Sequence, residues 1–293
     1  MAQDLSSALV TKFQPILDEV YKAASVTARL DGKTKPVDFA GANVVKVLTA
    51  SMSPLAAYVR ETGYIAGEVA LVWETLTLAQ SRGREFSIDR MDDEETLGMA
   101  FGLLAGEFIR QYVAPEIDAY RFAKFAATAG NEETAATYTS STILTAIDSA
   151  KAKLNADSVP VEGRILFASD SVAGFLEAAV THMWGNEGNI DRTIRTFDGM
   201  PLVVVPQSRF YQTVSITAGS ATTGGFVGTY PMNFMIVHPS AVLQVAKHEN
   251  LKIFSPDVNQ SKDAWKFQYR LYHDAFVYTN KVDGIAYSHQ VAA

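Results

Sequence analysis

Cysteine is absent from the 293 residues. Its absence rules out disulfides, thiolate-ligated zinc, iron–sulfur clusters and cysteine nucleophiles. A basic surplus is missing too, since 25 Lys and Arg face 32 Asp and Glu for a formal charge of −7. That balance disfavours a dedicated nucleic-acid binder, whose affinity comes from Lys and Arg neutralising phosphates. No apolar run approaches the roughly 20 residues that span a bilayer. The opening MAQDLSSALV has neither the basic start nor the apolar stretch of a secretory signal. With 48% hydrophobic and 19% charged residues, the chain has the material for a core of one large domain or two ordinary ones. The expectation is a soluble, acidic protein made in the cytoplasm.

Reaction chemistry is equally scarce. None of the five histidines (His182, His238, His248, His273, His289) belongs to an HExxH pair, and His248-Glu249 runs on into Asn-Leu-Lys. There is no GxSxG elbow and no GxxxxGK[ST] phosphate loop, and Gly224-Gly225 with Gly228 does not fit GxGxxG. Ser169-Asp170-Ser171 reads as a helix cap. The carboxylates Asp92 to Glu95 read as a helix N-terminus favoured by the macrodipole. We therefore expect no catalytic residue, no cofactor and no metal: the chain is not an enzyme.

Elements are legible in order. Leu5, Leu9, Phe13, Ile16, Leu17, Val20 and Tyr21 have helical spacing, broken at Pro15, and a polar stretch follows at Arg29 to Pro36. The pattern fits either an arm that must bury its stripe against something else or an ordinary N-terminal hairpin of two helices. Val44 to Met52 reads as a strand. From Glu68 to Asp89 the pattern is that of a long β-hairpin turning at Gln80 to Glu85, with few core partners of its own. An isolated hairpin is marginal in water, so its apolar residues Trp73, Leu76, Leu78, Phe86 and Ile88 imply a packing partner, and another subunit is one candidate.

Asp92 and Glu95 then form a capping-box pattern. The run Asp93 to Ala127 predicts a helix about 50 Å long, interrupted at Pro115. Gly98, Gly102 and Gly106 recur every four residues on one face. They permit either the close approach of another backbone or bending of the helix between two states. Residues 139–259 predict a separate α/β unit. It has a helix from Ile143 and a buried strand at Ile165 to Ala168. A helix capped at Asp170 follows, then a primed-turn hairpin around Asp198-Gly199. After a small-residue loop at 218–228 come a strand at Met232 to Val237, a helix from Pro239 to Lys247 and an extended segment at Leu251 to Phe254. From Trp265 to Thr279 the alternation predicts a strand near 50 Å long, turned at Asp283-Gly284 into Ile285 to Tyr287.

This order of parts resembles the major capsid protein of tailed double-stranded DNA bacteriophages, the Hong Kong 97 fold, and most of all the coat proteins of phages of Gram-positive bacteria. The resemblance is carried by FSIDRMDDEET (86–96), EFIRQYVAPEIDAYRFAKFA (107–126), FDGMPLVVVP (197–206), FMIVHPSAVLQVAKHENLKIFSP (234–256) and WKFQYRLYHDAFVYTNKVDGIAYS (265–288). It implies an α+β fold in which 1–41 is an N-terminal arm, 42–63 a peripheral-domain strand and 64–90 the extended loop. Residues 91–138 would hold the spine helix, 139–259 the axial domain and 260–293 the closing strands of the peripheral domain. By the same likeness, copies assemble as hexamers and pentamers into an icosahedral shell that expands from a procapsid as it fills. The extended loop would lie on a neighbouring subunit through Trp73, Leu76, Leu78, Arg82, Arg84, Phe86 and Ile88. The resemblance favours bending as the role of Gly98, Gly102, Gly106 and Pro115. It also implies portal and scaffolding proteins as partners, weak non-specific contact with packaged double-stranded DNA, no membrane, and assembly in the host cytoplasm into virions.

Some members of that family cross-link through a lysine of the extended loop. Here no lysine occurs between Lys46 and Lys124, and the guanidinium groups of Arg82 and Arg84 stay protonated and cannot serve as the amine. The alternative within the same fold is a bacterial nanocompartment shell enclosing a cargo enzyme. The long arm argues against it, because such shells replace the arm with a cargo-docking helix. A monomeric hydrolase or ligand-binding protein is the remaining class, and it lacks a polar site in the sequence.

Overall fold

The structure is a computed structural model. It describes residues 25–31, 38–39, 44–58, 60–61, 63–91, 106, 108–179, 195–219 and 225–291. The expected helices of residues 4–24, the capping box at Asp92 and Glu95, and Gly98 and Gly102 lie outside the described residues. The chain divides into two compact units, Lys35–Gln80 and the remainder.

The smaller unit is a three-stranded antiparallel ribbon. It comprises β1 (Asp38–Phe39), β2 (Val44–Met52) and β3 (Val69–Thr77), in the order β1-β2-β3. The register runs from Val44 opposite Thr77 to Met52 opposite Val69. Beyond it, the Ser53 N–H donates to the Glu68 carbonyl at 3.0 Å, and the Tyr58 and Tyr64 rings meet at 5.0 Å in the connecting segment.

This pairing corrects the expected hairpin of 68–89. β3 has β2 as its partner. The following strand, β4 (Gln80–Asp89), joins a different sheet in the order β11-β12-β4, with β11 (Val242–Phe254) and β12 (Ala264–Val277). Val44–Met52 and Val69–Thr77 are both rich in β-branched residues at matched length, whereas Gln80–Asp89 is polar on one face and suits a sheet edge. The helix expected at Pro239 to Lys247 is likewise overturned. Pro239–Ala241 is a single 3-10 turn, after which β11 pairs with β12 from Val242 opposite Val277 to Phe254 opposite Lys266. Val242, Leu243 and Val245 earn more from that ladder and its packing than from one turn of helix.

In the larger unit, the path β5-β13-β10-β6-β8-β7, with β9 also on β10, forms a seven-stranded sheet. Its strands are β5 (Asn131–Glu132), β6 (Ile165–Ser169), β7 (Thr196–Phe197), β8 (Met200–Val205), β9 (Tyr211–Ile216), β10 (Phe226–Val237) and β13 (Ile285–His289). The expected primed turn is present, Asp198 at φ 46° and Gly199 at φ 76°. Both faces of the sheet are covered, which explains runs such as Ile165–Ala168 that are apolar without alternation. Phe167, Met235 and Val237 face helix α1 (Ala114–Thr128), packing with Phe122 and Phe125. Leu166, Phe234 and Ile236 face α2 (Ile143–Ala156) and α3 (Asp170–Ala179). The closing strand therefore does not fold back on β12: β13 pairs with β10, Val237 opposite Ile285.

The expected break at Pro115 takes a specific form. Ile109–Val113 is a π turn, and α1 begins immediately after it with Pro115 in its first turn. Proline has no N–H to donate to the preceding turn, and the wider i→i+5 spacing absorbs the missing bond. The helix thereby serves two cores. Ile109, Val113 and Ile117 pack on Leu251, Phe267, Tyr269 and Leu271 of the three-stranded sheet, while Phe122 and Phe125 pack on the seven-stranded one.

Candidate functional site

Asp118 is wholly buried on α1. Its carboxylate accepts from the Ser25 and Thr27 hydroxyls, both at 2.7 Å, and from the Val26 and Thr27 N–H groups at 3.0 and 3.1 Å. The Arg209 Nη1 stands at 3.3 Å. A carboxylate loses its hydration on burial and must be repaid by donors and opposite charge, and these groups supply both. The residues that lead in from the N-terminus are thus tied to the helix, and Leu30 enters the main core beside them.

Arg82, Arg84, Phe86 and Ile88 lie on β4, and the structure gives each of them partners within its own unit. Arg82 Nε donates to Glu116 Oε1 at 2.6 Å and its Nη2 to the Thr217 carbonyl at 2.8 Å. Arg84 Nη1 reaches the Ala218 carbonyl at 3.4 Å. Phe86 meets Phe108 edge-on at 4.9 Å, and Ile88 packs on the same cluster. These arginines and Phe108, Tyr112, Tyr269, Leu271 and His273 line a cavity of about 290 Å³. His273 within it is buried, and desolvation, together with the charges of Arg121 and Arg82, depresses its pKa to about 3.

The hairpin unit presents a different surface. Side chains directly opposite each other across β2 and β3 share a face, so Leu48 with Trp73, Ala50 with Leu71 and Met52 with Val69 form one ladder. Its large members are open to solvent: Trp73 is 58% exposed, Leu71 63%, Val69 65% and Met52 73%. Leu76 is half-buried and Leu78 buried. Exposed apolar side chains thus stand side by side along one face of the ribbon. Of the expected contact residues, Trp73 alone belongs to this ladder. Leu48, Met52, Val69 and Leu71 were missed, because the partner of β3 was not recognised. The strand pattern at Val44–Met52, equal in length to β3, was the available signal.

Among the described residues no three His, Asp or Glu side chains gather as metal ligands, and no helix is long and apolar enough to cross a membrane. His238 accepts from the Ser240 N–H beside the 3-10 turn, and His289 stands 3.1 Å from Glu132. Ser169 Oγ accepts from the Val172 N–H at 3.4 Å, in the manner of a helix cap.

No protein-family model and no curated protein matches the sequence. Solved structures do match. The capsid of cyanophage P-SCSP1u is similar over 89% of this chain and 86% of its own, at 12% identity and a TM-score of 0.65. The mature capsid of bacteriophage PhiM1 is similar over the same shares, at 13% identity and a TM-score of 0.62. This is the phage-capsid fold. A virus-like particle from Pyrococcus furiosus is similar over 96% of this chain and 98% of its own, at 10% identity and a TM-score of 0.53.

Proposed function

We propose that this chain is a capsid protein that builds an icosahedral shell of hexamers and pentamers around double-stranded DNA, within the virion of a tailed phage. The observation that carries this reading is the solvent-exposed apolar ladder of Leu48, Met52, Val69, Leu71 and Trp73 on a ribbon of a capsid-type fold. A lone globular protein gains nothing from leaving such a face open, whereas a sister subunit covers it. On this reading the extended loop is the unit Lys35–Gln80 in place of 64–90. Leu76 contributes to its contacts, and Arg82, Arg84, Phe86, Ile88 and Leu78 serve within the chain.

A net charge of −7 suits a container from which packaged polyanion slides freely. Portal and scaffolding proteins are the further partners, and expansion of a procapsid is the conformational step in which the π turn and Gly106 would take part. Residues 53–68, which join β2 to β3, contain no lysine, and the shell is held without covalent links through that tip.

Electron microscopy of the expressed, purified chain tests the reading. Closed particles are expected, with Trp73→Glu or Leu71→Lys yielding unassembled subunits of unchanged helix and strand content. An assembly-incompetent parent under all salt and crowding conditions overturns it. The particles should dissolve to single subunits on denaturing gels, and a ladder of linked subunits refutes the non-covalent shell. The likeness to the Pyrococcus furiosus virus-like particle leaves open one weaker second reading, a nanocompartment shell. Particles of the native source that hold a cargo enzyme and no DNA would establish it.

A further inference from the structure

Arg82 is the second residue after the hairpin unit, and its guanidinium touches two other parts of the larger unit at once. It forms a forked pair with Glu116, at 2.6 Å through Nε and 3.1 Å through Nη2. Glu116 follows Pro115 at the point where the π turn gives way to α1. The same Nη2 donates to the Thr217 carbonyl at 2.8 Å and approaches the Gly225 carbonyl at 3.4 Å. Those carbonyls stand at the two ends of one connection between β9 and β10, where the Thr217 N–H also donates to the Gly225 carbonyl at 2.8 Å. Position 225 leaves room for this arrangement only as glycine. A Cβ there would run into Glu116 Oε2 and come within 2.8 Å of Arg82 Nη2.

We propose that Arg82 is a positioning residue that locks three elements into one joint: the strand returning from the hairpin, the π-to-α junction of the spine helix, and the neck of the β9–β10 connection. The planar fork explains why arginine stands here. A bidentate guanidinium satisfies a carboxylate with one edge and keeps a donor for backbone carbonyls, which a lysine ammonium on a flexible stem does not hold in fixed geometry. A displacement of β4 is then passed to the junction at Pro115, where the π turn meets α1. The consequence for assembled particles rests on the shell reading, and the joint itself does not.

Amide hydrogen exchange on the full, unassembled chain tests the joint, with Arg82→Ala and Gly225→Ala as its two disruptions and Arg82→Lys as the conservative change. In both disrupted variants exchange should rise about ten-fold at Thr217 and across 109–117, with β6 and β13 unaltered. Gly225→Ala collides with both Glu116 and Arg82, whereas Arg82→Ala only removes the guanidinium, so Arg82→Ala is the decisive variant and Gly225→Ala the steric control. Arg82→Lys should keep most of the protection of 109–117 and lose that of Thr217. A response confined to one of the two segments, or a rise spread evenly over the chain, overturns the proposal. Failure of the shell reading would show separately, as the lack of particles from a chain whose exchange responses are intact.

Discussion

The Thr27 hydroxyl donates to Asp118 Oδ1 at 2.7 Å, joining the segment around Thr27 to helix α1 across 91 positions of sequence. The same hydroxyl accepts from Arg121 Nη1 at 2.9 Å. One side chain thus mediates between a buried carboxylate and a buried guanidinium.

Asp118→Ala should cost about 3–5 kcal/mol, because it leaves four donors and the Arg209 charge without their acceptor. Urea unfolding of the unassembled chain measures the loss. Trypsin should also cut faster after Arg29, since the segment it sits in is released. A variant as stable as its parent would mean that the contacts contribute little and the segment is held by Leu30 alone.

His273 makes the fold acid-sensitive in a defined window. Its folded pKa of about 3 lies below the ordinary value of 6.5, so between those limits the unfolded chain binds a proton that the native one refuses. Its contribution is fully present above pH 6.5 and falls as the pH drops towards 3, with a slope of up to about 1.4 kcal/mol per pH unit. Burial is the main cause, with Arg121 and Arg82 adding repulsion of the imidazolium. The Tyr120 ring packs edge-on against the imidazole at 5.6 Å. Replacing it as His273→Gln should flatten the stability profile over that range. An unchanged profile sinks this account.

Gly106 separates two uses of the glycine repeat. A Cβ at this position would meet no described atom within 4 Å, so no described backbone packs there. Gly106→Ala should therefore raise the stability of the unassembled chain by about 1 kcal/mol, the intrinsic helix advantage of alanine. If bending at this glycine serves expansion, the same variant should assemble and then expand more slowly. A loss of stability in the free chain would show that the face is covered after all.

Much of the fold was legible from period and punctuation. The alternation from Trp265 onward specified β12, whose Phe267, Tyr269 and Leu271 do share the buried face. Asp198-Gly199 specified its turn, Pro115 the break in the helix, and the order of elements the capsid-type fold. Period says which residues of a strand share a face. It does not say which strand lies alongside, because the backbone ladder is made of groups that every residue carries. Tertiary structure alone therefore decided that Val69–Thr77 pairs with Val44–Met52 and that Gln80–Asp89 goes to β12. It decided as well that Val242–Phe254 is a strand, since the ladder to β12 outweighs a helix start at Pro239. The same holds for Arg82 and Asp118. Sequence determined that a guanidinium and a carboxylate are there, and only the folded chain, by bringing Glu116, Thr217, Ser25 and Thr27 within hydrogen-bonding distance, determined what each of them holds.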